Sequence, residues 1–215
     1  MRVRSLTLSL LGALVASATA AANLAVLDLQ DDTSIIALNG DIASGNAEAA
    51  ETLIKAANDG GRLISAVRLD SSGGSLTEAI QLADLIHRAK LPTIVAAGSR
   101  CASACFIVFA AGIDKFASYD AAIGVHGASD RFGHETARTE AATLAMARIV
   151  GAYGVPPRVI SRMIATSAQS ISWLTPADLR AMGAIMTGRP GRTSPSPEPA
   201  HGIGALPSAA LPTRD

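Results

Sequence analysis

Gly98-Ser-Arg-Cys-Ala-Ser-Ala-Cys-Phe-Ile-Val-Phe-Ala-Ala-Gly112 says more about this chain than any other stretch. A turn of small residues leads into an apolar, helix-forming segment, with Ser103 at the junction. Such a serine reads in two ways. It can be an N-cap, a common position for serine. It can also be a nucleophile whose hydroxyl stands beside the free N–H groups of a helix start. Two cysteines, Cys101 and Cys105, bracket it.

Working outward, short apolar strands alternate with helical stretches. Ser34 to Leu38 and Leu63 to Leu69 read as strands, with an Ala-rich helix from about Ala47 to Ala57 between them. Asn58-Asp-Gly-Gly61 stops that helix. Asp70-Ser-Ser-Gly-Gly-Ser75 is a tight glycine-rich turn, and Ser75-Leu-Thr-Glu78 is a capping box. Ala79, Leu82, Ala83 and Ile86 form the apolar stripe of the helix it opens. Thr93 to Ala97 is the strand before the serine segment. A short strand near Phe116 follows, then Ala122 to Val125 with His126 at its end. Further helices are expected from about Glu135 to Tyr153, from Pro156-Pro157 to near Thr166, and from the capped start Thr175-Pro-Ala-Asp178, before a last strand at Ile185-Met186. This alternation predicts an α/β layered fold with a parallel sheet and right-handed crossovers.

Composition narrows the function classes. The 215 residues are 49% hydrophobic but only 3% aromatic, so Ala, Val, Ile and Leu must fill the core. No basic stripe is present, which argues against nucleic acid as a partner. The N-terminus reads as a secretory signal over residues 1–22. Arg2 and Arg4 precede the apolar stretch Leu6 to Val15, and Ala18-Thr-Ala20 fits a cleavage site. The rival reading is an uncleaved membrane anchor. Cleavage leaves 16 basic and 18 acidic residues, a net charge of −2. A domain over 23–187 and a Pro/Gly/Ser-rich disordered tail over 188–215 complete the expected layout.

In an oxidising compartment, Cys101 and Cys105 could pair. If both were helical, their Cα atoms would stand about 6 Å apart, within disulfide range. So short a bridge would act locally, stiffening the turn that presents Ser103. Two buried thiols packing as small apolar groups are the alternative.

The order Ser71-Ser-Gly-Gly74, Gly98 through Gly112, and Ile-Gly-Val-His126 resembles the Clp protease proteolytic subunit family, within the crotonase-like superfamily. It looks most like a secreted bacterial branch. The similarity spans roughly residues 34–186 and is strongest from Asp70 to His126. It implies a layered fold of β-β-α units. It also implies Ser103 as nucleophile, His126 as general base, and the backbone N–H groups of Gly74 and Ala104 as oxyanion donors.

Two departures stand out. The family's Ser-Pro-Gly-Gly turn lacks its proline here. More seriously, the position matching the triad acid, two residues before the aromatic Trp173, is Ile171. Asp178, inside its capping box, reads as structural. A Ser103–His126 dyad therefore remains, with His126 held by a hydroxyl or a carbonyl.

The expected function is that of an exported serine hydrolase. It would act as a peptidase on short or unfolded peptides without an ATPase partner, in the periplasm or cell envelope. The alternative is a weak or inactive scaffold that kept the fold. A homo-oligomer is implied by resemblance, and no cofactor or metal is called for. Export argues against a crotonase-type acyl-CoA substrate. The three lysines, Lys55, Lys90 and Lys115, lie outside the region where a serine–lysine peptidase would supply its base.

Overall fold

A computed structural model describes residues 23–29, 33–130 and 132–190. The expected signal segment, residues 1–22, and most of the expected tail, residues 191–215, lie outside the described residues.

The chain runs β1 (Asn23–Asp28), β2 (Thr33–Asn39), α1 (Asn46–Asp59), β3 (Leu63–Asp70), α2 (Leu76–Arg88), β4 (Thr93–Val95), β5 (Arg100–Ala102) and α3 (Ala104–Ala110). It continues with β6 (Lys115–Ser118), β7 (Ala122–Val125), α4 (Ala137–Ala152), α5 (Pro157–Ala165), β8 (Ser172–Trp173), α6 (Pro176–Ala181) and β9 (Ala184–Thr187). One six-stranded sheet has the order β1-β2-β3-β4-β6-β9, and a three-stranded sheet has the order β5-β7-β8. The large sheet is parallel from β2 to β9. Its edge strand β1 runs antiparallel to β2. The expectation of an α/β fold on a parallel sheet holds, with antiparallel pairs at β1 and β8 as the differences.

Neither β1 nor β5 is evident in the sequence. Arg100-Cys-Ala102 is too short to alternate, and its strand conformation comes from pairing with β7. Helix α3 consequently starts at Ala104, so Cys101 is a strand residue rather than a helical one.

The core is built largely from the small and branched aliphatics the composition supplies. Helix α2 buries Ala79, Leu82, Ala83 and Ile86, the four positions of the expected stripe. Helix α3 is buried on every side, from Ala104 to Ala110, and forms the centre of the molecule. A short helix that is apolar all round can only sit inside, between layers. Its central position fixes Ser103, one residue upstream.

The capping box expected at Ser75 forms by half. The Ser75 hydroxyl accepts from Glu78 N–H, but the Glu78 carboxylate instead accepts from Ala47 N–H at 2.6 Å. Glu78 thus ties the start of α2 to the start of α1. The box at Thr175 forms completely, with Asp178 returning to the Thr175 N–H.

Candidate active site

Strands β5 and β7 lie side by side and parallel, with Ala102 opposite Gly124. The next residue, Ser103, donates its N–H to the Gly124 carbonyl at 3.2 Å. His126 directly follows β7. The serine and the histidine therefore emerge from the carboxyl ends of neighbouring parallel strands, where α/β sheets commonly place their binding crevices.

Ser103 has φ 56° and ψ −127°. This is one of only two positive φ values at non-glycine residues among the described residues. Such a conformation costs about 1–3 kcal/mol and persists only where surrounding structure enforces it. The Ser103 hydroxyl caps nothing, although it stands at the N-cap position of α3. It makes no hydrogen bond among the described residues. The N-cap reading of Ser103 as a side-chain cap is thereby set aside, and its hydroxyl is left uncommitted.

Close packing explains the glycine pair, against Ser103 at Gly73 and against Ile42 at Gly74. A Cβ on Gly73 (φ 116°) would stand 2.7 Å from Ser103 Cβ and 2.9 Å from the Ala102 carbonyl oxygen. A Cβ on Gly74 (φ 131°) would collide with the Ile42 carbonyl. Both positions combine a backbone conformation that favours glycine with space that admits no side chain. The turn is anchored on β5, since Ser71 N–H donates to the Arg100 carbonyl at 2.7 Å and Ala102 N–H to the Ser71 carbonyl at 3.1 Å. Gly73 N–H is satisfied by the Ser71 hydroxyl. The N–H groups of Gly74 and Ala104 donate to no acceptor among the described residues. Both residues line one cleft with Ser103 and His126.

That cleft has a volume of about 610 Å³. Met146 and Ala142 of α4 form part of its wall, and Asp130 and Arg138 bring the charges. Asp130 holds its own loop together by accepting from the N–H groups of Phe132 (2.8 Å) and His134 (2.9 Å). The His134 hydrogen bond leads in pulling its carboxyl below the ordinary carboxylate range. A second hollow of about 400 Å³ shares Gly127, Ala128 and Thr139 with the cleft and is floored by Leu144 and Ile164. The His134 ring, 3.7 Å from Asp130, does not line the cleft.

His126 is half-buried, and its Nδ1 lies 2.6 Å from the Gly127 carbonyl oxygen. A carbonyl only accepts, so Nδ1 carries the proton and Nε2 keeps its lone pair in the neutral ring. Of the two holders open in the sequence, hydroxyl and carbonyl, the carbonyl is the one present. On the other side of β7, strand β8 pairs Gly124 with Trp173 and Val125 with Ser172. Continuing that register by one pair puts Ile171 across from His126. Ile171 is 37% exposed, and a Cβ on Gly124 would collide with its Cγ2. No carboxylate stands at that position.

Asp178 is committed elsewhere. Its carboxylate accepts from Thr175 N–H (2.9 Å), the Thr175 hydroxyl (2.8 Å) and Arg162 Nη1 (2.7 Å), with Arg158 Nε at 3.5 Å. Burial pushes its pKa up, but the Thr175 hydrogen bonds and the Arg162 cation outweigh this and hold it below the ordinary value. Arg162 also donates to Ser172 Oγ and to the Trp173 carbonyl, fixing β8 beside β7.

Cys101 and Cys105 are joined by a disulfide, with Cα atoms 5.2 Å apart. The alternative of two free thiols is set aside. The bridge runs from strand β5 to helix α3 across Ser103.

No family model matches the sequence, and no curated protein sequence matches it. Solved structures do match. ClpP1 from Listeria monocytogenes superposes with a TM-score of 0.55 at 13% identity, covering 72% of this chain and 92% of its own. The fold is ClpP-like. A mutant of the 1510-N membrane-bound stomatin-specific protease also superposes, with a TM-score of 0.52 at 17% identity over 70% of this chain and 77% of its own. At such identities the likeness concerns architecture alone. Within this ClpP-like fold, sequence reasoning located Gly74, Ser103, Ala104 and His126, which the structure brings to one cleft. It missed Gly73 as the residue packed on Ser103 and the Gly127 carbonyl as the holder of His126. Gly73 could have been found from the doubled glycine. The carbonyl has no sequence signal, because every residue carries one.

Proposed function

We propose that this chain is a serine hydrolase acting on peptides or unfolded protein segments through a Ser103–His126 dyad. The observation that carries the reading is the strained Ser103 at the end of β5, its hydroxyl uncommitted, flanked by two N–H groups without acceptors. His126 Nε2 would accept the Ser103 proton as Oγ attacks a substrate carbonyl. Gly74 and Ala104 N–H would receive the charge that develops on that carbonyl oxygen. The imidazolium would then protonate the leaving amine, and water, activated by the same nitrogen, would release the acyl group.

The contiguous second hollow suits an extended chain lying past the cleft. The fold neighbours, a stomatin-specific protease and ClpP1, support a peptide or protein substrate; a homo-oligomeric assembly is part of the same proposal. The signal-like residues 1–22 support export to the periplasm or cell envelope and, with it, work without an ATPase partner. The disulfide accords with an oxidising compartment.

Ile171 limits the rate. Removing the orienting carboxylate from a full triad costs about 10⁴-fold in a well-studied protease. Here the Gly127 carbonyl keeps the useful tautomer, so slow acyl transfer is expected rather than none.

A fluorophosphonate probe tests the proposal. The wild-type chain should be labelled and Ser103→Ala should not. Absence of wild-type labelling, or equal labelling of Ser103→Ala, would instead favour the reading that Ile171 also supports, a binding or scaffold protein on the same fold.

A further inference from the structure

We infer that the Cys101–Cys105 disulfide is the positioning device for Ser103, so that the nucleophile is set for reaction only in the oxidised chain. This inference deepens the proposed hydrolase reading and rests on it.

The bridge encloses only Ala102, Ser103 and Ala104. These are the last residue of β5, the strained serine and the first residue of α3, whose N–H is a proposed oxyanion donor. Helix α3 has only seven residues and no side-chain cap, because the Ser103 hydroxyl is held away from that role. A relaxed serine at this position would gain by turning to negative φ and capping the helix itself. Reaching that state requires the first turn of α3 to shift against β5. The disulfide joins those two elements and blocks the shift. Hydrogen bonding ties the serine to β7, from its N–H to the Gly124 carbonyl, and to the first turn of α3, where its carbonyl accepts from Phe106 N–H, so the disulfide adds a covalent link from that turn to β5.

Both cysteines are fully buried in the core. That fits a permanent brace rather than a bond cycling on the surface. The same burial means the thiols of a reduced chain remain side by side and can pair again on oxidation. Reduction by dithiothreitol passes two electrons and two protons to the cysteine sulfurs, and the reagent closes to its own cyclic disulfide.

The experiment compares oxidised wild type, wild type held in dithiothreitol, and the full-length Cys101→Ala/Cys105→Ala double variant. Two readouts are the rate of fluorophosphonate labelling and amide hydrogen exchange over residues 102–106. Labelling should fall at least tenfold in both disulfide-free forms, and exchange over 102–106 should rise at least tenfold. Exchange in β2 and β3 should be unchanged, which separates a local effect from global loosening. Re-oxidation of the reduced wild type should restore labelling, a rescue that a merely structural role would not tie to Ser103. Labelling within twofold of wild type in the disulfide-free forms would overturn the inference. If oxidised wild type does not label, the hydrolase reading fails by itself. The exchange readout then decides this inference, and unchanged protection over 102–106 overturns it. Should the double variant fail to fold, the reduced wild type carries the same comparison.

Discussion

His126 has two flanks, and they are built differently. On the nucleophile flank, Gly73, Gly74, Ser103 and Ala104 are fixed almost entirely by backbone contacts, close approach and one disulfide. On the opposite flank, β8 is fixed by side chains: Asp178, Arg162 and Ser172 form a hydrogen-bonded network, and Ile171 stands where an acid would serve. A flank made of main chain cannot lose one component without disturbing the fold. A flank whose chemistry depends on one side chain can lose it while the strand stays in place. Under the proposed function, the main-chain flank would serve nucleophilic attack and oxyanion binding, while position 171 offers no carboxylate to stabilise an imidazolium.

Four substitutions sharpen or break this contrast. The largest effect is expected at the centre. His126→Ala should reduce fluorophosphonate labelling by about 10³-fold, equivalent to about 4 kcal/mol of barrier. Labelling that survives unchanged would mean that Ser103 is activated by something other than the imidazole. On the main-chain flank, Gly73→Ala should lower stability by about 3 kcal/mol, because the new Cβ meets Ser103 Cβ and the Ala102 carbonyl at a positive φ. Thermal unfolding reads this, and a neutral result would show that the turn can move away from the serine. On the side-chain flank, Ile171→Asp should raise labelling by about 10²-fold, with little change in melting temperature. No gain would place the limit elsewhere than in the missing acid.

The smallest effect concerns Asp178. Its carboxyl is held below the ordinary range by Thr175 and Arg162 against the opposing effect of burial. A depressed folded pKa contributes stability that is fully present above the unfolded value, about 4. That contribution fades as pH falls through the folded value. Asp178→Asn should therefore cost about 1–2 kcal/mol at neutral pH. The gap to wild type should close under acid. Denaturant titrations at pH 7 and pH 3 check this, and a constant gap would assign the loss to packing instead.

Much of this architecture can be read from the sequence, for identifiable reasons. Strand β7, at Ala122–Val125, matches its expected limits, because Asp120 and His126 bracket a short run without polar side chains. The stripe on α2 follows from 3.6-residue periodicity. Strand β1 was hidden because its apolar residues follow directly on the signal-like segment. Strand β5 was hidden because three residues carry no pattern and need β7 to be strand at all. The capping motif at Ser75 predicts a helix start correctly but not the destination of Glu78, which depends on α1 coming alongside. In the site, residue types announced the serine, the histidine and the glycines. The positive φ at Ser103, the 2.6 Å contact behind His126 and the commitment of Asp178 to Arg162 arise only from tertiary packing.

The carbonyl of Gly127 behind His126 has a consequence for heredity and for acidity. A peptide oxygen is present whatever codon stands at position 127, so no single substitution there can delete it. It also has no proton to gain in the physiological range, unlike the carboxylate found behind a triad histidine. In the proposed dyad, the group that holds the imidazole therefore carries no charge of its own.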